Sequence, residues 1–333
     1  MRVAIAGMTG HVNYVLEALD ADPTLSVAAV SPGVSNENIA PLLATLDRMG
    51  QWPQVVESAE ELVNLPGIDI VAAAAPFYRN AEITIAALRR SCAVFCEKPI
   101  ALTLDALREV EREQQLSGRP ICAMLGLRNE PHFAAARRCM QENAVGRPLL
   151  ITAQKSYKMG QRPDFYGTRS QYGGTIPWVA IHALDWCSWL TGKRYIDVTA
   201  RHTTLGNRGN GDMETAAAIL MTMEDGLMAA AHADYLRPEG AFTHGDDRVR
   251  IAGEEGVLEI RGGHVYYSPE TGMPGEVELE PEANVFEAFA RSLEGHCEPP
   301  VTTEESLYTT AAALIAREAA DMGRTVRFEE FGW

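Results

Sequence analysis

A glutamate and a lysine stand where a strongly apolar segment of the chain stops. Residues 93–96 are Ala-Val-Phe-Cys, and Glu97, Lys98 and Pro99 follow directly. Charged side chains are rarely buried unless they are paired, so this strand end is expected to serve a site rather than a core. In open α/β sheets, ligands bind beyond the carboxyl ends of the strands. If the chain builds such a sheet, Lys98 points into the active cleft.

A glycine-containing turn follows the first apolar segment, Arg2–Ala6, and precedes a helical pattern of apolar residues. A dinucleotide site uses glycines here because backbone N–H groups at the helix start must approach a pyrophosphate. The common GxGxxG pattern is incomplete, since Val12 stands at its third glycine position. We expect a nucleotide site, with a tight turn lacking any ligand as the alternative. The predicted cofactor-binding residues of the turn are Gly7, Thr9, Gly10 and His11.

The end of the second predicted strand, residues 25–30, lacks the residue that usually distinguishes the two nicotinamide dinucleotides. NAD sites commonly carry Asp or Glu there for the ribose, and NADP sites keep an arginine nearby for the 2′-phosphate. Here the strand ends at Ser31, followed by Pro32 and Gly33. Ser31 is therefore counted as cofactor-binding, and the cofactor is expected to be NAD or NADP.

Polar and aromatic residues in the second half of the chain are candidates for substrate contact. Cations alternate with tyrosines over residues 155–172, and a predicted helix over 176–190 carries aromatic and ionisable side chains. Such interleaving suits a hydroxyl-rich or carboxylated substrate, with an ordinary polar loop or a subunit contact as the alternative. No spacing matches a known metal site, so no metal is expected. The predicted substrate residues are Lys155, Tyr157, Arg162, Tyr166, Trp178 and His244.

The elements that must position these residues fall into two groups. Over residues 1–122 apolar segments alternate with helical patterns, which predicts βαβ units, a parallel sheet and a dinucleotide-binding domain. Over residues 123–333 the strand patterns alternate or pair as hairpins, which predicts an α+β domain for substrate binding and oligomerisation. Its sheet is expected to be large, open and mostly antiparallel. A last helix near 303–322 can pack back on the first domain.

Composition excludes several classes of function. The chain has 333 residues and a formal net charge of −16, which argues against nucleic acid or an anionic membrane as a partner. No apolar run reaches the about 18 residues of a membrane span. The six cysteines form no CxxC pair and are expected to be free thiols. We therefore expect a cytoplasmic protein with a small-molecule substrate.

Taken together, these segments resemble the Gfo/Idh/MocA oxidoreductase family, which includes glucose–fructose oxidoreductase and myo-inositol dehydrogenase. The resemblance runs through the whole chain. It is carried by Glu97-Lys98-Pro99, the Pro76 strand end, and residues 173–185, 251–256, 300–302 and 323–326.

The resemblance implies an NAD(P)-dependent oxidoreductase with an N-terminal Rossmann-type sheet. Lys98 would lie beside the nicotinamide and the reacting hydroxyl and stabilise developing charge on oxygen. His182 would take the hydroxyl proton, and Asp185 would either orient its imidazole or join a local polar network. Glu97 and Pro76 would belong to the cofactor site. The Lys98–Pro99 peptide is expected to be cis.

Two positions depart from the family pattern. Trp178 stands where a carboxylate often assists the proton relay, and Asn80 replaces a histidine after the third strand. Trp178 is interpreted either as a stacking wall for a sugar or as a core residue.

The leading prediction is a dehydrogenase or reductase acting on a sugar, polyol or related hydroxy compound. The alternatives are a nucleotide-binding sensor without turnover and an NAD-dependent glycoside hydrolase. A homodimer or homotetramer through the C-terminal sheet is expected.

Overall fold

Two sheets organise the chain, and each lies in its own compact unit. The computed structural model describes all residues, Met1–Trp333. The first unit contains Met1–Gly126, Ser170–Tyr172 and Asn284–Thr310, and the second contains Leu127–Arg169, Gly173–Ala283 and Ala311–Trp333. The assignment of dinucleotide binding to residues 1–122 and of substrate binding to 123–333 stays a prediction.

The sheet of the first unit has six strands, all paired in parallel. They are β1 (Arg2–Ala6), β2 (Ser26–Ser31), β3 (Gln54–Val55), β4 (Ile70–Ala73), β5 (Ala93–Cys96) and β6 (Ile121–Ala123). Their order is β3-β2-β1-β4-β5-β6. Strands β4 and β5 are buried at every residue, because both faces of a parallel sheet are covered. The predicted parallel sheet is confirmed, and its order reverses between β1 and β4, where such sheets bind ligands.

Ten α-helices connect or cover the strands. They are α1 (Asn13–Ala21), α2 (Ala40–Arg48), α3 (Ala59–Val63), α4 (Asn80–Arg89), α5 (Leu104–Ser117), α6 (Pro131–Gln141), α7 (Arg169–Tyr172), α8 (Ile181–Thr191), α9 (Val285–Leu293) and α10 (Thr303–Met322). Ser58 caps the start of helix α3, because its side chain accepts a hydrogen bond from the Glu61 N–H.

The sheet of the second unit has nine strands. They are β7 (Pro148–Lys158), β8 (Tyr195–Thr203), β9 (Ala216–Met223), β10 (Met228–Arg237), β11 (Gly245–Gly253), β12 (Gly256–Arg261), β13 (His264–Pro269), β14 (Gly275–Glu276) and β15 (Val326–Arg327). Their order is β14-β13-β12-β11-β7-β10-β9-β8-β15, and only β7 and β10 pair in parallel. Buried and more exposed residues alternate along β9 and β10, so one face of the sheet is left uncovered. The predicted large, mostly antiparallel sheet is confirmed.

Residues from the end of the chain support β5 and β6 within the first unit. The Phe95 ring of β5 packs on the rings of Phe286 and Phe289 from α9, with centroids 5.0 and 5.9 Å apart. The Ala123 N–H of β6 donates to the Ser306 hydroxyl of α10 at 3.0 Å. These contacts fix the strand that leads into Glu97 and Lys98.

No helix combines the length and the apolar character needed to cross a membrane. The six cysteines are all free, and only Cys297 is exposed.

The turn after β1 should be more sensitive to an added methyl group than an ordinary left-handed glycine. A Cβ at Gly7, where φ is +84°, would lie 2.4 Å from the Ala74 carbonyl oxygen. A Cβ at Gly118, where φ is +64°, would meet nothing within 4 Å. Gly118→Ala should therefore cost only the backbone strain, roughly 1–2 kcal/mol. Gly7→Ala should cost at least about 1 kcal/mol more, measured as the free energy of unfolding in urea. Equal losses for the two variants would contradict this packing.

Candidate functional site

The turn after β1 is fastened to the ends of both neighbouring strands. The Gly7 N–H donates to the Ser31 carbonyl at 2.9 Å, and the Thr9 N–H donates to the Ala74 carbonyl at 2.7 Å. The positive φ of Gly7 and its contact with Ala74 leave no room for a side chain. The turn therefore lies directly on the carboxyl edge of the six-stranded sheet, as its sequence predicts.

The start of α1 fits a dinucleotide pyrophosphate. No side chain caps this helix, and its first turn contains no acidic residue. The backbone N–H groups of Gly10 and Val12 donate to no acceptor in the chain. Unsatisfied N–H groups at the positive end of a helix dipole are suited to bind a phosphate. These donors supply what the predicted nucleotide requires.

Glu97 connects this turn to β5. Its Oε2 accepts hydrogen bonds from the His11 backbone N–H at 2.5 Å and from the His11 Nδ1 at 2.9 Å. Its Oε1 accepts from the Lys98 N–H at 2.9 Å, and the whole residue is buried. The structure thus brings together three predicted cofactor-site residues, His11, Glu97 and Lys98.

Lys98 is fully buried, and the Lys98–Pro99 peptide is cis, which confirms that expectation. Asn80, at the start of α4, brackets this peptide. Its Nδ2 donates to the Glu97 carbonyl at 3.0 Å and to the Pro99 carbonyl at 3.1 Å. Pro76 stands directly before the 3₁₀ turn, residues 77–79, that leads into Asn80. Asn80 therefore positions the lysine, a role that its place in the sequence does not reveal.

In the second unit, Lys155 of β7 is buried among aromatic rings and one carboxylate. Its Nζ lies 2.6 Å from the Asp247 Oδ2, 4.7 Å from the Tyr157 ring centre and 5.6 Å from that of Trp186. Burial lowers the pKa of Lys155, and Asp247 opposes this change. The His244 ring stacks on Tyr157 with centroids 5.0 Å apart. Two of these residues, Trp186 and Asp247, are not among the predicted substrate residues.

Arg162 continues this group. Its guanidinium lies 4.5 Å from the Tyr235 ring centre and 5.7 Å from that of Tyr166. The Tyr166 ring meets the Trp178 ring edge-on, with centroids 6.3 Å apart. All six predicted substrate residues thus belong to one set of contacts within this unit. We call this set, with Trp186, Tyr235 and Asp247, the aromatic–cation cluster.

The pKa of His244 is lowered, chiefly by burial and then by the positive charges of Arg162, Lys155 and Lys158. A neutral imidazole is therefore favoured in a region where cations outweigh carboxylates. Lys158 and Arg162 donate to backbone carbonyls, those of Ala241 and Lys158 respectively.

Helix α8 places His182 and Asp185 beside the aromatic–cation cluster. The His182 ring stacks on the Trp186 ring with centroids 6.1 Å apart, and the Phe133 ring stacks on Trp186 at 4.5 Å. Both Asp185 oxygens accept from Arg128, at 2.6 and 2.9 Å. Asp185 therefore belongs to a local ion pair, and an orienting role towards His182 stays a prediction.

Sequence patterns contain a signal for two members of the aromatic–cation cluster that are not among the predicted residues, Asp247 and Tyr235. Strand β11 begins at Gly245, and the sheet register places Asp247 directly opposite Lys155. Opposite charges facing each other across strands are a recognised stabilising pair. Tyr235 lies two residues beyond Ala233 of β10, which pairs with Lys155. Because alternate residues of a strand share a face, Tyr235 lies on the same face of the sheet as Lys155. No group of three or more His, Cys, Asp or Glu side chains is arranged to hold a metal ion.

Comparison with known proteins matches two segments of the chain to models of one protein family. Residues 1–123 match the oxidoreductase family with an NAD-binding Rossmann fold, and residues 133–259 match the GFO/IDH/MocA C-terminal domain. A 1,5-anhydro-D-fructose reductase of Ensifer adhaerens is 27% identical over 285 residues, 82% of this chain and 84% of that protein. An inositol 2-dehydrogenase/D-chiro-inositol 3-dehydrogenase of Lactiplantibacillus plantarum is 23% identical over 270 residues, 78% and 71% of the two chains. A solved structure from Thermotoga maritima, of a protein assigned as an oxidoreductase with no substrate named, has a TM-score of 0.95 and 40% identity. The match covers 98% of this chain and 100% of that one.

Replacing Arg162 should change the titration of His244. Arg162→Met removes one of the positive charges that lower the His244 pKa, so that pKa should rise towards its usual value of 6.5. It should stay below this value, because burial is unchanged. An NMR titration of the imidazole measures the effect. Arg201→Met, in β8, is the matched control and should leave the His244 pKa unaltered; the same titration curve for all three proteins would contradict the arrangement.

Proposed function

The chain belongs to the Gfo/Idh/MocA family of NAD-binding oxidoreductases, and on this premise we propose that it moves a hydride between nicotinamide and a hydroxyl-bearing carbon of a sugar or polyol. The named relatives, a reductase of an anhydro sugar and an inositol dehydrogenase, supply the substrate class. The observation that carries the proposal is the buried Lys98 directly beyond β5, at the carboxyl edge of the six-stranded sheet.

The bound nicotinamide supplies the hydride acceptor or donor. In the oxidative direction the substrate carbon loses its hydride, the hydroxyl proton passes to the His182 imidazole, and a carbonyl bond forms. Lys98 stabilises the negative charge that develops on this oxygen, and its interaction is strong because a buried ammonium is poorly screened. Reduction follows the same path in reverse, with His182 donating the proton.

The aromatic–cation cluster supports a hydroxyl-rich substrate. Tyrosine and tryptophan rings offer faces for the C–H surface of a sugar, and their polar edges can reach hydroxyl groups. Within the cluster, Arg162 donates to a backbone carbonyl, whereas Lys155 is neutralised by Asp247. The cluster therefore keeps positive charge that can also bind a carboxylate of the substrate.

The uncovered face of the nine-stranded sheet supports a homodimer or homotetramer. Leu220 of β9 and Met228 and Leu236 of β10 are 52, 52 and 62% exposed. Met228 pairs with Leu150 of β7, so the apolar surface continues across neighbouring strands. Apolar patches of this kind mark interaction sites, and a two-fold axis lets the same surface serve both copies. A second copy of this chain is the proposed occupant.

Lys98→Met should reduce turnover by at least about 100-fold, the usual loss when a group that stabilises an oxyanion is removed. Formation of reduced nicotinamide with a panel of sugars and polyols measures turnover, and calorimetry measures nucleotide affinity, which should persist. Lys193→Met is the matched control, because Lys193 pairs with Asp225 on the surface of the other unit.

Full activity of Lys98→Met would refute the role given to Lys98. For the unmodified protein, cleavage of a glycoside without net redox change would indicate the hydrolase alternative. Nucleotide binding with no turnover of any substrate would indicate the sensor.

Leu220→Glu should break the proposed assembly, because it places a charge in the middle of the apolar surface. Size-exclusion chromatography with light scattering should show a smaller mass than for the unmodified protein. Leu205→Glu is the control, since Leu205 is 82% exposed and follows the end of β8. A monomeric unmodified protein would contradict the proposal, as would an unchanged mass of Leu220→Glu.

A further inference from the structure

We propose that Glu37 binds the adenosine ribose of the cofactor and makes this chain specific for NAD(H) over NADP(H). This inference rests on the proposed function, because it requires that a nicotinamide dinucleotide binds to the first unit. Glu37 would thus distinguish NAD from NADP, which Ser31 at the end of β2 does not do.

The Glu37 carboxylate lies between the nucleotide turn and the loop that follows β2. Its Oε1 accepts from the Met8 N–H at 3.0 Å and from the Thr9 hydroxyl at 3.3 Å. Its Oε2 accepts from the Gly33 N–H at 2.6 Å. A carboxylate held by the turn that receives the pyrophosphate is within reach of the ribose attached to that pyrophosphate.

The loop after β2 returns tightly enough to bring this carboxylate back to the strand end. The Glu37 N–H donates to the Val34 carbonyl at 3.0 Å, which closes a turn. A Cβ at Gly33 would lie 2.6 Å from the Cβ of Ala75, which follows the end of β4. Only glycine therefore lets the loop lie so close to this strand end. A residue six positions beyond Ser31 thereby occupies the place where an acidic residue is usual at the strand end itself.

The carboxylate has acceptor capacity left for a sugar hydroxyl. Its two oxygens offer about four acceptor positions, and three are used. A free ribose 2′-hydroxyl can donate to the remaining position. A 2′-phosphate has no proton to donate at neutral pH in its dianionic form and would face a like charge, which is strongly unfavourable at a recognition site.

The adjoining cavity offers a 2′-phosphate no free positive charge. This cavity of about 390 Å³ is formed by the loop after β2, including Gly33 and Asn36, with Glu57, Glu60, Tyr78 and Arg79. Arg79 is its only cation, and its two terminal nitrogens pair with Glu60 and Glu82. The cavity is of a size that suits an adenine ring, and its charge is that of an NAD site.

Calorimetric titration with NADH and NADPH, in the absence of substrate, tests the inference independently of turnover. The unmodified protein should bind NADH on the order of 100-fold more tightly than NADPH, because a carboxylate and a phosphate repel each other at close range. Glu37→Gln keeps the size of the side chain and removes the charge. It should weaken NADH binding and reduce the preference for NADH by roughly 10-fold or more, the loss expected for a charge-assisted hydrogen bond.

Glu57→Gln is the matched control, since it removes an acid of the same cavity that does not contact the nucleotide turn, and it should keep the preference. Thermal unfolding of Glu37→Gln separates a local effect on binding from a general loss of folding. A protein that binds NADPH as tightly as NADH overturns the inference while leaving the proposed function intact. If Arg79→Gln then weakens NADPH alone, Arg79 rather than Glu37 is the residue that reads the ribose. Absence of binding of both nucleotides overturns the proposed function together with the inference.

Discussion

The carboxylate of Glu97 joins the two elements of the first unit that carry its chemistry. It accepts from the backbone N–H of His11 at the nucleotide turn and from the backbone N–H of Lys98 beyond β5. A buried carboxylate is costly unless it is hydrogen-bonded, and this one is held by three donor groups, the His11 ring included. The space at Gly10 depends on the same contact, because a Cβ there would overlap the Glu97 carboxylate. The conformations of the nucleotide turn, Glu97 and Lys98 therefore depend on one another.

Side chains alternate between the two faces of the nine-stranded sheet, so the aromatic–cation cluster and the proposed assembly surface lie on opposite faces. Lys155 lies on the face covered by α8, opposite Ala233 and Asp247 on the neighbouring strands. The neighbouring pairs, such as Ala230 with Thr152, point the other way and stay accessible. Because successive residues of a strand face opposite sides, substitutions on the open face can alter assembly without touching the substrate group. A shift of register by one residue would exchange the two faces, which is why the register must be closely fixed.

The sequence alone predicts the features that local patterns control. The parallel sheet follows from alternating strand and helix patterns, the nucleotide turn from its glycines, and Lys98 from a charge at the end of an apolar strand. Asn80 and Glu37 escape such reasoning, since their roles come from contacts with residues 17 and 29 positions away that no local pattern encodes. Asp247 was missed for another reason. Its strand begins with polar residues, because they pair with Lys155 and other polar groups of β7, and such residues read as a loop.

Two carboxylates at the nucleotide turn also determine where a pyrophosphate can bind. Glu37 takes the Met8 N–H, and Glu97 takes the His11 N–H. A diphosphate brought to either donor would meet a negative charge that is already hydrogen-bonded there. Among the donors that remain is the Val12 N–H at the start of α1, where the helix dipole favours an anion. The acidic residues therefore position the anion by exclusion, while the ribose on one side and the nicotinamide on the other can extend towards Glu37 and Lys98.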